Sequence, residues 1–514
     1  MMRRRLFALL LGTQAPFVSG CATSTRSENT ALVAAASVPA AVTTDSAREV
    51  RVTIVQLNDL YEITPTAGGR YGGPARVATI RRQLAAANPN TFTVLAGDML
   101  SPSALGTARV DGQRLDGRQM IAVLNAMGLD FATFGNHEFD LSEASLTGRL
   151  AESRFHWISS NVTGANGTRL PNVERHEIVR VAGGRDTLRL AFIGSTMERD
   201  QRPYARVSDA IEAALRETAI VRDSADVIVA ITHLPIARDI EIAEHAPDID
   251  LILGGHEHTN SLLHRGPALT PIAKADANAR TVWVHDIRWN ALTKRTRIES
   301  RLVSITDSIQ PDPATERVVD EWVNRAYAGF RLAGFEPDQL VATSDVELDG
   351  LESSIFVDTT ALSNLIAESM RAETPAADAA LYNAGSIRID DVLPAGPIRQ
   401  YDIIRTLPFG GPILEIEISG ALLRRALEQG LLNRGTGGYL QYANITRAAD
   451  GWRVGAQALD DSRTYRVAVS DYLVSGREQG LGWLNRETPG LRVLREARDV
   501  RFAFMDGLKR RFTR

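Results

Sequence analysis

Five stretches of this sequence end an apolar run with residues that can bind cations or move protons. They are Asn58-Asp59-Leu60-Tyr61, Gly97-Asp98, Phe134-Gly135-Asn136-His137-Glu138-Phe139-Asp140, a lone His233, and Gly254-Gly255-His256-Glu257-His258. In the third, Asn136 offers a metal a neutral oxygen, the adjacent His137 can donate a proton, and Asp140 can orient that imidazole. One His or Asp at a strand end is ordinarily a structural or solvated group; five such ends in one region point to a shared task. Carboxylates, an amide and imidazoles, without sulfur, suit Zn, Mn or Fe. Two cations about 3.5–4 Å apart need one bridging carboxylate and about three further ligands each. Asp59, Asp98, Asn136 with His137, His233, and His256 with His258 fit that count. Two divalent cations against two carboxylates leave such a site positive, so it attracts a phosphate and lowers the pKa of a bridging water, whose hydroxide attacks phosphorus in line.

The elements that must position these residues can be read from periodicity. Val50 to Leu57 alternates and is β-branched, which predicts a strand running into Asn58-Asp59. Pro74, after Gly72-Gly73, opens a helix through Leu84. Thr91 to Ala96 predicts a second strand ending at Gly97-Asp98, and residues 118–127 a helix with Ile121, Leu124 and Met127 on one face. Phe131 to Phe134 delivers Asn136 and His137; Asp209 to Arg222 is a helix, Val227 to Thr232 a buried strand before His233, and Leu251 to Leu253 the strand before His256. Strands alternating with helices imply an α/β fold, and open α/β sheets bind ligands beyond the carboxyl ends of their strands. At 514 residues the chain exceeds one ordinary core, which predicts two large domains. The texture changes near residue 307: Pro311-Asp312-Pro313 precedes a helical stretch through Ala328, and a second body follows from about 340. That body should carry helices around Thr360–Arg371 and Ala421–Gln429, and strands at Leu414–Ile418 and Tyr465–Val469.

The first residues read differently. Arg3, Arg4 and Arg5 precede an apolar run from Leu6 to Leu11, and Val18-Ser19-Gly20 leads into Cys21. This is the pattern of a secretory signal, too short to span a membrane. It resembles the lipobox of bacterial lipoproteins, which implies that Cys21 becomes a lipidated first residue and that the membrane is met only through it. The Ala-, Ser- and Thr-rich residues 21–48 then form a flexible tether. Cys21 is the sole cysteine, so the chain can form no internal disulfide and no thiolate metal site. A net charge of −4 with no basic domain gives no electrostatic footprint for nucleic acid.

The order Asn58-Asp59-Leu60-Tyr61, Gly97-Asp98, Gly135-Asn136-His137-Glu138, His233, Gly255-His256-Glu257-His258 resembles the calcineurin-like metallophosphoesterases over residues 50 to about 290. The resemblance implies a four-layer α/β sandwich in which Asp98 bridges two metals. Asn136, His233 and His256 would complete one site, and Asp59 and His258 would serve the other. His137, supported by Asp140, would contact the phosphoryl oxygen or the leaving group. The chain departs from the family at Tyr61, where a His is usual. Either its phenolate binds metal, which would suit Fe(III), or Tyr61 packs nearby and leaves that site one ligand short.

The second half resembles the substrate-binding domain of 5′-nucleotidases in Asn383-Ala384-Gly385-Ser386-Ile387-Arg388, Leu407-Pro408-Phe409-Gly410-Gly411 and Ser470-Asp471-Tyr472-Leu473-Val474-Ser475-Gly476. That implies an α+β nucleotide-binding domain with Phe409 and Tyr472 clamping a base, Asn383 and Arg388 making polar contacts, and Glu478 in the place of a ribose-binding Asp. Asp358 stands where the family carries an Arg. The expected division is a signal at 1–20, the tether at 21–48, a catalytic domain at 49–306, a linker helix at 307–339 and a substrate-binding domain at 340–514. The expected protein is an exported, lipid-anchored 5′-nucleotidase using two divalent metals. The alternatives are a nucleotide phosphodiesterase or nucleotide-sugar hydrolase on the same scaffold, and a surface-binding lipoprotein whose metal centre has decayed through Tyr61.

Overall fold

The computed structural model describes residues 48–198 and 202–512. The signal-like segment, Cys21 and all of the tether but Arg48 lie outside the described residues. Two sheets make up the first half. One has seven strands, in the spatial order Thr296–Ser304, Thr281–Asn290, Glu49–Leu57, Thr91–Ala96, Phe131–Thr133, His156–Ile158, Val173–Glu174. The other has six: Ser261–Arg265, Thr270–Lys274, Leu251–Gly254, Val227–His233, Asp186–Thr196, His176–Gly183. The central strands of both run parallel; antiparallel strands close both edges of the six-stranded sheet and one edge of the seven-stranded one, whose other edge, Val173–Glu174, is parallel.

Parallel strands are buried on both faces, and their side chains show it. Val50, Val52 and Ile54 point into a core between the sheets, where they meet Phe131, Phe192, Val229 and Leu253. Val55 and Leu57, on the opposite face, pack under the helices Pro74–Ala87 and Arg118–Met127. Helices Ala210–Val221 and Ile236–His245 cover the outer face of the second sheet. The order helix, sheet, sheet, helix makes four layers. Asp209 caps its helix by accepting from the Glu212 amide, and Ser142 caps Glu143–Glu152 in the same way.

The helix expected to end near Ala328 runs from Pro313 to Leu332, and it is no free spacer. Its buried face carries Val319, Trp322, Ala326 and Phe330, and the Thr315 hydroxyl donates to the Ala126 carbonyl. That face docks on the helices of the first half, while the Tyr327 ring meets that of Tyr401 at 5.0 Å. The second half centres on a five-stranded sheet, Leu440–Ala443, Ala379–Asn383, Thr464–Ser470, Pro412–Ser419, Leu491–Asp499. Helix Gly420–Leu432 packs on one face of that sheet, while Ala361–Glu373 and Val500–Phe512 cover the other. Among the described residues no helix is long and apolar enough to cross a membrane.

Candidate active site

Every ligand-type residue of the first half sits just past the carboxyl end of a parallel strand. Asp59, Asp98 and Asn136 follow strands of the seven-stranded sheet; His233, His256 and His258 close strands of the six-stranded one. Asp59, Asp98 and His233 come together in full burial, with ligand atoms within 4.8 Å of one another. His233 Nε2 lies 3.2 Å from Asp98 Oδ2 and 3.8 Å from Asp59 Oδ1, while its Nδ1 meets the Ala96 carbonyl at 2.8 Å. With Nδ1–H spent on that carbonyl, Nε2 faces two carboxylates with a lone pair, so a proton or a cation must sit between them. His258 Nε2 lies 3.3 Å from Asp59 Oδ1, and the His256 ring is 5.4 Å from that of His233. Asn136 is bracketed by Gly135, packed on Asp98, and by His137, whose amide donates to Asp98 Oδ1 at 2.7 Å.

The Tyr61 hydroxyl stands among these atoms, 3.0 Å from His258 Nε2, 3.1 Å from Asp98 Oδ2 and 3.3 Å from Asp59 Oδ1. Burial, with the carboxylates of Asp98 and Asp59, pushes its pKa well above the usual phenol. Burial alone would lower His233, but the same two carboxylates raise it to about 9. Asp59, which burial would raise, is held down to about 2 by His233 and His258. Burial and the neighbouring His233 lower His256 to about 4. A field that draws positive charge this strongly, in a pocket of hard oxygen and imidazole donors, fits a divalent cation.

Strain and support surround the cluster. Asp59, Asp98, His256 and His258 all adopt positive φ (51°, 57°, 92° and 58°), a conformation L-residues hold only when neighbours impose it. Glu138 imposes it on Asp98. Its buried carboxylate accepts from the amides of Gly135 (2.6 Å), Met99 (2.7 Å), Asp98 (3.0 Å) and Leu100 (3.1 Å). Asn58 donates to Asp59 Oδ2 at 2.8 Å, and that oxygen also accepts from the His256 amide at 2.9 Å. The buried Lys274 ammonium ties down the last loop, donating to the Gly255 carbonyl and pairing with Asp239 and Glu257. Gly135 is required by close approach, since a Cβ there would run into the Asp98 carboxylate. The supporting roles of Glu138, Asn58 and Lys274 are not marked in the sequence. Of these only Glu138 has a local signal, a carboxylate between His137 and Phe139 in the turn that also carries Asn136 and Asp140.

His137 Nδ1 meets Asp140 Oδ2 at 2.6 Å, and Arg202 donates to Asp140 Oδ1 at 3.1 Å. This commits Nδ1 and leaves Nε2 as the atom that can exchange a proton with a ligand. Asp140 and Arg202 also line a cleft of about 1110 Å³, and the residues singled out in the second half gather along it: Asn383, Arg388, Phe409, Tyr472 and Glu478. Phe409 and Tyr472 expose 55% and 42% of their surface, unusual for large rings in a chain that buries most of its aromatics. Burial raises the Glu478 pKa, and Arg388 works against it. Asp358 lies exposed and is not among the cleft residues.

Comparison with known proteins agrees with this geometry. Residues 52–260 match the calcineurin-like phosphoesterase family and residues 341–486 the 5′-nucleotidase C-terminal domain. The trifunctional nucleotide phosphoesterase protein YfkN of Bacillus subtilis is 25% identical over 83% of this chain; the matched region spans only 32% of that longer protein. A snake venom 5′-nucleotidase from Naja atra is 24% identical over 83% of this chain and 90% of its own length. Among solved structures, a 5′-nucleotidase precursor from Thermus thermophilus shares the fold at a TM-score of 0.74, with 22% identity, covering 90% of this chain and 97% of the other. A calcineurin-like phosphoesterase body joined to a 5′-nucleotidase C-terminal domain makes this chain a member of the 5′-nucleotidase family of metal-dependent phosphoester hydrolases.

Proposed function

We propose that this protein is an exported 5′-nucleotidase that releases phosphate from nucleoside 5′-monophosphates. The observation that carries the reading is the shared cleft, which brings His137's partner Asp140 into the same space as the exposed rings of Phe409 and Tyr472. In this reading residues 49–306 are the catalytic domain, 340–514 bind the nucleotide, and the helix Pro313–Leu332 moves with the catalytic half. Any hinge then falls after the helix, in residues 333–339. Residues 1–20 would direct export, and Cys21 would carry the lipid.

The two flat rings hold the base by stacking, each worth about 1–3 kcal/mol. Asn383 and Arg388 offer polar contacts beside it, and Glu478 receives a ribose hydroxyl. Asp59, Asp98, Asn136, His233, His256 and His258 would hold two divalent cations, and the Tyr61 oxygen, beside Asp59 and His258, would be a further ligand. When bound, those cations supply positive charge to the phosphoryl oxygens and an activated water. His137, fixed through Nδ1 by Asp140, presents Nε2 to the phosphoryl or leaving oxygen. Arg202, donating to Asp140 Oδ1, holds that carboxylate in place.

One observation favours a larger substrate. The cleft exceeds the roughly 300–1,000 Å³ of ordinary small-molecule pockets, and Arg114, Arg202, Arg388 and Arg477 all line it. A nucleotide diester or a nucleotide-sugar would use that space, and B. subtilis YfkN carries the name of a trifunctional nucleotide phosphoesterase. Hydrolysis of AMP, UDP-glucose and cyclic AMP, followed by chromatography of the products on one metal-loaded preparation with His137→Ala as control, decides between them. Turnover of AMP well above the other two supports the monophosphatase. Preference for UDP-glucose or cyclic AMP assigns the larger substrate, and no hydrolysis of any phosphoester overturns both.

A further inference from the structure

The proposed metal ligand His258 belongs to the first half, yet its other ring nitrogen is held by the second. His258 Nδ1 lies 2.9 Å from Asp390 Oδ2, across 132 residues of sequence, and 3.6 Å from Glu352 Oε2. Asp390 is buried and sits at φ 36°, a conformation that an L-residue keeps only under constraint. Its Oδ1 accepts from the Glu352 amide at 3.0 Å, and Arg280 of the first half lies 3.8 Å from Oδ2. The next residue is pinned as well. Asp391 Oδ2 accepts from the Ala67 amide at 2.8 Å and pairs with Arg405 at 3.2 Å, and Arg405 in turn reaches Glu62 of the first half at 3.6 Å. The segment Asp390-Asp391 is therefore a clamp of the second half on the rim of the candidate metal centre.

We infer that Asp390 is a positioning residue that completes the metal centre from the other half of the chain, so that cation binding and the docking of the two halves support each other. The inference rests on the metal-centre reading above. A histidine that gives one nitrogen to a metal orients itself by donating the other N–H to a carboxylate, and losing that partner costs about 10–100-fold in metal affinity. Here the carboxylate arrives only when the halves meet. By linkage, a cation that favours this orientation of His258 must favour the docked arrangement by the same factor. Arg388, on the nucleotide cleft, lies 3.7 Å from Glu352 Oε1. A run of polar contacts thus leads from the cleft through Glu352 and Asp390 to His258.

The test uses the full chain and Zn²⁺ or Mn²⁺ alone. Cation dissociation constants are measured by chelator competition for wild type, Asp390→Ala, Asp390→Asn and the ligand control His258→Ala. Thermal unfolding of each is followed with and without metal. Asp390→Ala should weaken binding of the more loosely held cation by about 10–100-fold. It should also shrink the metal-induced rise in Tm, over and above the fall in metal-free Tm that losing the acceptor of the buried Glu352 amide brings. Asp390→Asn, whose one acceptor oxygen can serve either His258 Nδ1–H or the Glu352 amide but not both, should recover part of the affinity and covers the case in which the alanine variant does not fold. Wild-type cation affinity in both Asp390 variants overturns the inference if His258→Ala still loses a cation. If His258→Ala binds as wild type does, the metal-centre reading itself falls.

Discussion

Replacing Glu138 with glutamine changes one atom in the first half, and the structure sets what that should cost. Oε1 accepts from Met99 and Leu100, and Oε2 from Gly135 and Asp98; all four partners are donors, and the carboxylate is fully buried. Burial, then the nearby Asp98 charge, push the Glu138 pKa up, and the amides pull it back down. A glutamine amide can satisfy one pair of N–H groups through its oxygen, but its own N–H₂ must face the other pair. Two buried donors without acceptors cost about 1–3 kcal/mol each, so about 2–6 kcal/mol in all. The loop that relaxes carries Asp98 at φ 57°, and His137 hangs on the Asp98 carboxylate through its amide. The substitution should therefore lower the Tm of the first half by about 5–15 °C. It should also lower bound metal per chain and reduce phosphate release in proportion to the metal lost. Denaturation followed by circular dichroism, metal content after dialysis, and phosphate release from AMP measure the three effects. A variant with wild-type Tm, full metal and full activity would refute the claim that Glu138 holds Asp98 in its strained conformation.

Other expectations follow from the same geometry. His137→Ala should cut phosphate release by about 10²–10⁴-fold, the usual contribution of a positioned acid, with metal content unchanged; equal loss of metal would count against its role at the substrate. Phe409→Ala and Tyr472→Ala should each raise KM about 5–150-fold, from about 1–3 kcal/mol per stacked base, with little change in kcat, read from initial rates on AMP. Tyr61→Phe, which deletes only the hydroxyl, should weaken one cation without lowering the metal-free Tm; unchanged affinity would make Tyr61 a packing residue. Asp250 is raised to about 6, chiefly by burial. The fold therefore binds its proton more tightly than the unfolded chain does, and the associated stability is present below about pH 4 and lost as pH rises through about 6. Asp250→Asn should stabilise at pH 7.5 by about 1–3 kcal/mol, with the difference from wild type vanishing near pH 4 in urea denaturation. A constant difference across that range would assign the effect to packing.

The sequence by itself determined which residues can do chemistry and which strands deliver them. Alternating, β-branched runs such as Val50 to Leu57 favour extended backbone through their own residues, so strand identity is a local property, and so is the ligand-type residue at the strand end. The Pro74 helix start and the buried face of residues 118–127 were legible for the same reason. Tertiary structure alone decided what surrounds those residues. Glu138 is unremarkable until its four amide partners, from two separate loops, converge on it. Lys274, deep in the fold, looks like an ordinary solvated lysine in the sequence; Asp239 and Glu257 become its partners only when the strand ends meet. The helix after Asp312 looked like a spacer because its apolar stripe does not say what it packs against. Asp390 shows the limit most clearly: its contact with His258 joins two halves of the chain, and nothing in the composition of either segment encodes the approach of the other. Periodicity is set by neighbours in the chain, whereas support for a charged cluster comes from whatever closure brings near it.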